Sequence, residues 1–213
     1  MAFIDTTAPA VALDAGRGMY LRQQSFWGFV PNYAKVFCHR PQVMTRWAQL
    51  LAELKRPMEK RRFELVTFVA AHELRHSACA LAHGRALEEF FSEAQILAIA
   101  DGRLDGVLGE AEQSLIHFVR QIARDASSVS AAQIESLERH GYSDAEIFDI
   151  AAAAAGRAFF TKLLDALGVA PDSPFLSESE AFRRALTVGR AIDENDCVTV
   201  PETPRDQTQW ESG

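Results

Sequence analysis

Cysteine is scarce in this chain. Its three cysteines, Cys38, Cys79 and Cys197, are spread over 213 positions, which excludes a disulfide framework and agrees with a reducing compartment. Also missing is any block of lysine and arginine. The 22 basic residues face 29 acidic ones, for a net charge of −7, so the electrostatic footprint of a nucleic-acid binder is absent. No window reaches the roughly 20 apolar residues that a membrane-spanning helix needs, and the opening "MAFIDTTAPAVALDAG" has no basic leader ahead of an apolar run. The expectation is a soluble cytoplasmic protein that engages neither membrane nor nucleic acid.

Runs of alternating β-branched residues bounded by turn signals are lacking too, whereas almost every periodic segment has helical spacing. The predicted class is all-α. Hydrophobic residues at 48% and charged residues at 24% are the balance of a chain with a real core, and this length suits one compact domain. The pattern reads as an irregular arm over residues 1–17, a single helical domain over 18–190 and a polar tail over 191–213. The tail, with Trp210, is expected to be mobile unless a neighbouring subunit holds it.

Within the domain a short helix stops at Pro41 and a longer one starts near Gln42, burying the side that carries Val43, Trp47, Leu50, Leu51 and Leu54. The stretch from Pro57 to Phe91 is long enough for one helix, but "HELRHS" is a polar interruption in an apolar run, and Ser77 is a reasonable N-cap. That divides it into two helices near residues 73–77. Further caps are predicted at Ser92, Ser130 and Ser143, the last with Glu146 in a capping box. The run Ala151–Ala155 followed by Gly156 reads as a central core helix, and residues 177–191 as a last helix.

Chemistry concentrates where the long apolar stretch divides. Two helices place Cys79 in the first turn of the second, where the helix N-terminus favours a thiolate over a thiol of pKa about 8.5. Cys79 and His83, four residues apart, lie about 40° apart around a helix, so the imidazole is placed to act as a base. Glu64 sits in the apolar run "FELVTFVAA", where a carboxylate needs a partner. An antiparallel return of the chain brings it toward His83, and Glu64, His83 and Cys79 would then form a proton relay. Against this stands the ordinary role of a cysteine in an apolar helix, that of a small inert hydrophobe. His72, His76, Cys79 and His83 would share one face of an unbroken helix, but the outer two would lie about 16 Å apart and could not close around one ion. No metal and no cofactor is expected.

The pattern Glu64, Cys79, His83 within "RRFELVTFVAAHELRHSACALAHGRAL" resembles the core motif of the alkylhydroperoxidase D-like and carboxymuconolactone decarboxylase superfamily. The likeness extends to "FWGFVPNYAKVFCHRPQVM", similar to the family's Pro-Asn opening and following Arg-Pro pair, and to "YSDAEIFDIAAAAAGRAFFTKLLDALGVAPD", similar to its closing helix. Together these span roughly residues 26–172. The resemblance implies an alkylhydroperoxidase D-like multi-helix bundle working as a homo-oligomer. In the redox branch the second cysteine of a Cys-x-x-Cys pair attacks a peroxide, the first resolves the product as a disulfide, and a glutamate and a histidine carry protons. Carried onto this chain, Cys79 takes the attacking position with Glu64 and His83 in the relay. The first cysteine's place is held by His76, so Cys79 has no resolving partner within the motif. An imidazolium at His76 would favour the thiolate, and an external thiol would have to restore an oxidised Cys79.

Three functions follow. The first is a thiol-dependent peroxidase acting on a hydroperoxide. The second is a lyase resembling the lactone decarboxylases, with His83 and Glu64 acting on a small carboxylated substrate held by Arg75, Arg85 or Arg157. The third is an oligomeric binding protein that has lost catalysis.

Overall fold

The computed structural model of the chain describes residues 2–195 and 197–201; the remainder of the tail, with Trp210, lies outside the described residues. Among the described residues all regular secondary structure is helical, apart from one isolated antiparallel bridge between Val30 and Val198. Ten α-helices follow one another: α1 (Asp14–Trp27), α2 (Asn32–Val36), α3 (Pro41–Lys55), α4 (Lys60–Glu73), α5 (Ser77–Leu87), α6 (Glu93–Ala100), α7 (Glu110–Asp125), α8 (Ala131–Arg139), α9 (Asp144–Ala166) and α10 (Glu180–Leu186). None of them is long and apolar enough to cross a membrane.

The central helix is α4, every residue of which from Phe63 to Ala71 is buried. A helix apolar on all sides must be surrounded, and α5, α7 and α9 pack around it. This corrects the expectation for α9. Its Ala153 and Ala154 are buried, but Ala155 is exposed, and Phe148 and Phe159 face outward. Two apolar clusters meet across this centre. One joins α4 to α10; the other gathers α1–α3 with Ala71, Cys79, Phe160 and Leu164.

Several expectations shift in detail. α1 begins at Asp14, inside the segment read as an irregular arm. Pro41 occupies the first turn of α3 instead of ending the preceding helix, a position where its missing N–H and fixed φ cost nothing. The buried side of α3 is that of Met44 and Trp47, while Val43 and Leu50 are exposed. Capping boxes at Ser92, Ser130 and Ser143 close the starts of α6, α8 and α9. Part of the tail is held by the chain's own body: Val30 N donates to the Val198 carbonyl at 2.8 Å, and Val200 N to Gln24 Oε1 at 2.6 Å.

Candidate active site

The polar interruption after α4 is a tight reversal. Arg75 takes a left-handed φ of 58° and donates its N–H to the His72 carbonyl at 3.0 Å, and His76 N donates to the Ala71 carbonyl at 3.0 Å. This is the paired hydrogen bonding that commonly ends a helix, with an arginine at the position that favours glycine. Gly189 presses on the turn: a Cβ there would lie 2.1 Å from the Arg75 carbonyl oxygen. Its N–H donates to Ser77 Oγ at 2.9 Å.

α5 then starts at Ser77, and its cap is His76 rather than the expected Ser77. The His76 Nδ1 accepts the backbone N–H of Cys79 at 3.1 Å, doing with an imidazole what Asn or Asp does with an oxygen. Cys79 is therefore in the first turn of α5, within reach of the helix dipole. Its side chain is 7% exposed, and Arg157 of α9 donates from Nη1 to its Sγ at 3.5 Å. Burial pushes the Cys79 thiol up, but the His76 imidazole and the Arg157 guanidinium outweigh that and hold it below the range of a free thiol.

His76 is 1% exposed. Burial pulls its pKa down, yet the Cys79 charge and Asp165 raise it overall. In its neutral form, the form able to accept the Cys79 N–H at Nδ1, His76 carries its proton on Nε2. That nitrogen has no hydrogen-bond partner and lies 4.0 Å from Asp165 Oδ1.

On the other side of α5, His83 Nδ1 is 2.7 Å from Glu64 Oε2 and 3.2 Å from Thr67 Oγ1, and Lys55 Nζ donates to Glu64 Oε1 at 3.2 Å. Burial pushes Glu64 up, but His83 and Lys55 hold its carboxyl below the usual carboxylate range. Burial and the Arg157 charge together push His83 down. Near neutral pH the pair is thus an ionised carboxylate and a neutral imidazole that donates from Nδ1, leaving Nε2 able to accept a proton.

The structure joins Glu64 to His83 as the sequence suggests. Among the described residues no hydrogen bond joins His83 to Cys79. The expected single relay is two clusters, Glu64–His83 and Cys79–His76, and the charge of Arg157 acts on a member of each. Of the three arginines considered for a carboxylate, Arg75 is exposed, Arg85 pairs with Glu178 over the Phe175 ring, and Arg157 alone is buried against the thiol. The signal for it was available in "AAAAAGRAFF", a charge inside an apolar run.

The other thiols stand apart from this centre. Cys38 Sγ accepts the Thr7 N–H at 3.3 Å, and Cys197 Sγ lies 3.6 Å from Ser173 Oγ; all three cysteines are free thiols. The turn at residues 74–76 also puts His72 on a different helix from Cys79 and His83. Among the described residues no group of three or more His, Cys, Asp or Glu is arranged to hold a metal ion.

No family model and no curated protein matches the chain. Solved structures do. The alkylhydroperoxidase AhpD core of an uncharacterized peroxidase-related protein from Ralstonia eutropha JMP134 superposes with a TM-score of 0.71 at 22% identity, over 82% of this chain and 94% of that one. A second uncharacterized peroxidase-related protein, from Silicibacter sp. TM1040, gives 0.68 at 18% identity over 85% and 100%. The debrominase Bmp8, seen in complex with 2,3,4-tribromopyrrole, gives 0.63 at 14% identity over 85% and 98%. At these identities the likeness speaks for architecture, and the architecture of this chain is the all-α alkylhydroperoxidase D-like fold.

Proposed function

We propose that the protein is a thiol-dependent oxidoreductase of the alkylhydroperoxidase D-like superfamily that reduces a hydroperoxide at Cys79. The observation that carries this reading is the setting of that thiol, in the first turn of α5 between the His76 imidazole and the Arg157 guanidinium, an arrangement that favours the nucleophilic thiolate. Sulfur attacks one peroxide oxygen, the O–O electron pair leaves on the alkoxide, and the alkoxide takes a proton from water beside the Arg157 guanidinium. Cys79 is left as the sulfenic acid. An external thiol, giving its proton to His83, attacks the sulfenic sulfur; the proton passes to the departing hydroxide as water, and a second thiol releases Cys79 from the mixed disulfide. In this scheme Glu64 fixes the His83 tautomer and His83 handles the reductant's proton. The exposed Val43 and Leu50 of α3 and Phe148 and Phe159 of α9 fit the homo-oligomer that the superfamily resemblance implies.

A lyase acting on a small carboxylated substrate through His83 and Glu64 keeps one supporting observation, the buried Arg157, a cation that could hold a carboxylate. One experiment separates the two. The purified protein is treated with a modest excess of an organic hydroperoxide in the presence of a sulfenic-acid trap and followed by peptide mass spectrometry, with Cys79→Ser as control. The expected result is rapid trapping at Cys79 with Cys38 and Cys197 untouched. Oxidation at the rate of an ordinary free thiol would refute the peroxidase and leave the lyase, whose activity would survive Cys79→Ser and fail in His83→Ala.

A further inference from the structure

Arg157 raises a question of charge balance that the peroxidase scheme does not answer. Its side chain is 4% exposed, and among the described residues it has no carboxylate within ion-pair distance. Its Nε has no hydrogen-bond partner. What it has is Cys79 Sγ at 3.5 Å from Nη1 and the Phe160 ring 5.9 Å from its guanidinium carbon. An arginine cannot shed its proton, and a buried cation without a counter-charge is costly. A second buried nitrogen nearby, His76 Nε2 of the residue that caps the Cys79 N–H, is unpartnered as well. Asp165, 4.0 Å from that nitrogen, is also 3.9 Å from Arg190 Nε and makes no ion pair with Arg157.

We infer that the buried Arg157 guanidinium forms an anion site centred on the Cys79 sulfur. The thiolate fills it in the reduced protein, and the carboxylate of a thiol reductant fills it once the sulfur is neutral. The first half stands on the geometry alone. The second rests on the peroxidase reading, because the sulfenic acid and the mixed disulfide carry no charge at sulfur and leave Arg157 uncompensated. A small thiol bearing a carboxylate restores the balance in those states, whereas a neutral one does not. The class of reactant selected is therefore anionic, despite the negative net charge of the chain, because the selection is made by one buried guanidinium.

The test uses protein that has no thiolate. Cys79→Ser removes the sulfur charge and keeps the donors, and formate is titrated calorimetrically into it and into the same variant with Arg157→Met added. Saturable formate binding is expected in the single variant, weakened about tenfold or more in the double one, equivalent to at least about 1.4 kcal/mol. As an independent arm, Cys79→Asp sets a carboxylate at the sulfur position by covalent attachment. It should melt above Cys79→Ser, and Arg157→Met should erase that difference. Absence of saturable formate binding, binding indifferent to Arg157, or a Cys79→Asp protein no more stable than Cys79→Ser would each overturn the site. None of these variants does redox chemistry at position 79. Formate binding together with a Cys79 inert to hydroperoxide would keep the anion site and sink the peroxidase.

Discussion

Two charges placed inside apolar helices, Glu64 and Arg157, organise the site, and they were unequally visible. Glu64 stands out in "FELVTFVAA" because a carboxylate there must find a partner, and it does so in His83 and Lys55. Arg157 breaks "AAAAAGRAFF" in the same way, but arginine's long stem lets most such residues reach solvent, so the pattern alone does not say that the guanidinium stays inside. Nor does helical spacing settle where an imidazole points. Cys79 and His83 share one side of α5, yet the Glu64 carboxylate and Thr67 hydroxyl hold the His83 Nδ1. His76 caps α5 through its imidazole, at the position where the redox branch of the resembled superfamily carries its first cysteine. His76→Cys puts a thiol back three residues before Cys79. We expect hydroperoxide then to convert both thiols to an intramolecular disulfide that a dithiol reverses, read as paired loss and recovery of free thiol by mass spectrometry. A stable trapped sulfenic acid at Cys79 in that variant would show that the two positions cannot bridge.

At the level of helices, caps are readable where a serine opens a capping box, as at Ser92, Ser130 and Ser143, whereas the Ser179 cap of α10 is not. The break before α5 was readable as well, but its cap fell one residue early because an imidazole acceptor is not among the usual cap signals. α1 is not legible in the sequence, since Gly16, Gly18 and a largely polar face blur its periodicity. The position of α10 against α5 depends on Gly84, which gives no periodic signal at all. A Cβ at Gly84 would meet Leu186 Cδ1 at 2.6 Å and Phe182 at 3.0 Å. Gly84→Ala gains up to about 1 kcal/mol of helix propensity and loses about 1–3 kcal/mol to overpacking. A net loss near 1 kcal/mol is expected in denaturant unfolding, with the slope unchanged. A variant as stable as the parent would mean that Leu186 turns aside and that the contact does not position α10.

The assembly of distant segments is what the sequence conceals most, and Asp172 shows why. Nothing in its neighbourhood marks it, yet folding buries it to 7% exposure, where its Oδ1 accepts the Asn32 N–H at 2.8 Å from 140 residues away. Burial raises its pKa from 3.8 to about 6, only partly offset by that N–H and by Lys35. The sign follows from proton linkage. Between about pH 4 and 6 the folded protein holds a proton on Asp172 that the unfolded chain has released, so stability falls as pH rises through that window. Glu64 acts in the opposite sense and in a lower window: its folded pKa lies below 4.5, so its contribution is present above that value and is lost on acidification. The two effects therefore separate along the pH axis. Asp172→Asn keeps an oxygen to accept the Asn32 N–H and removes the titration. Near pH 7 the variant should be more stable than the parent by about 1–3 kcal/mol, and at pH 4 the two should be nearly equal. Denaturant unfolding of both proteins across pH 4–7 checks this. Parallel stability curves would show that Asp172 ionises as readily in the folded chain as in the unfolded one, and that the segment joining α9 to α10 leaves it wet.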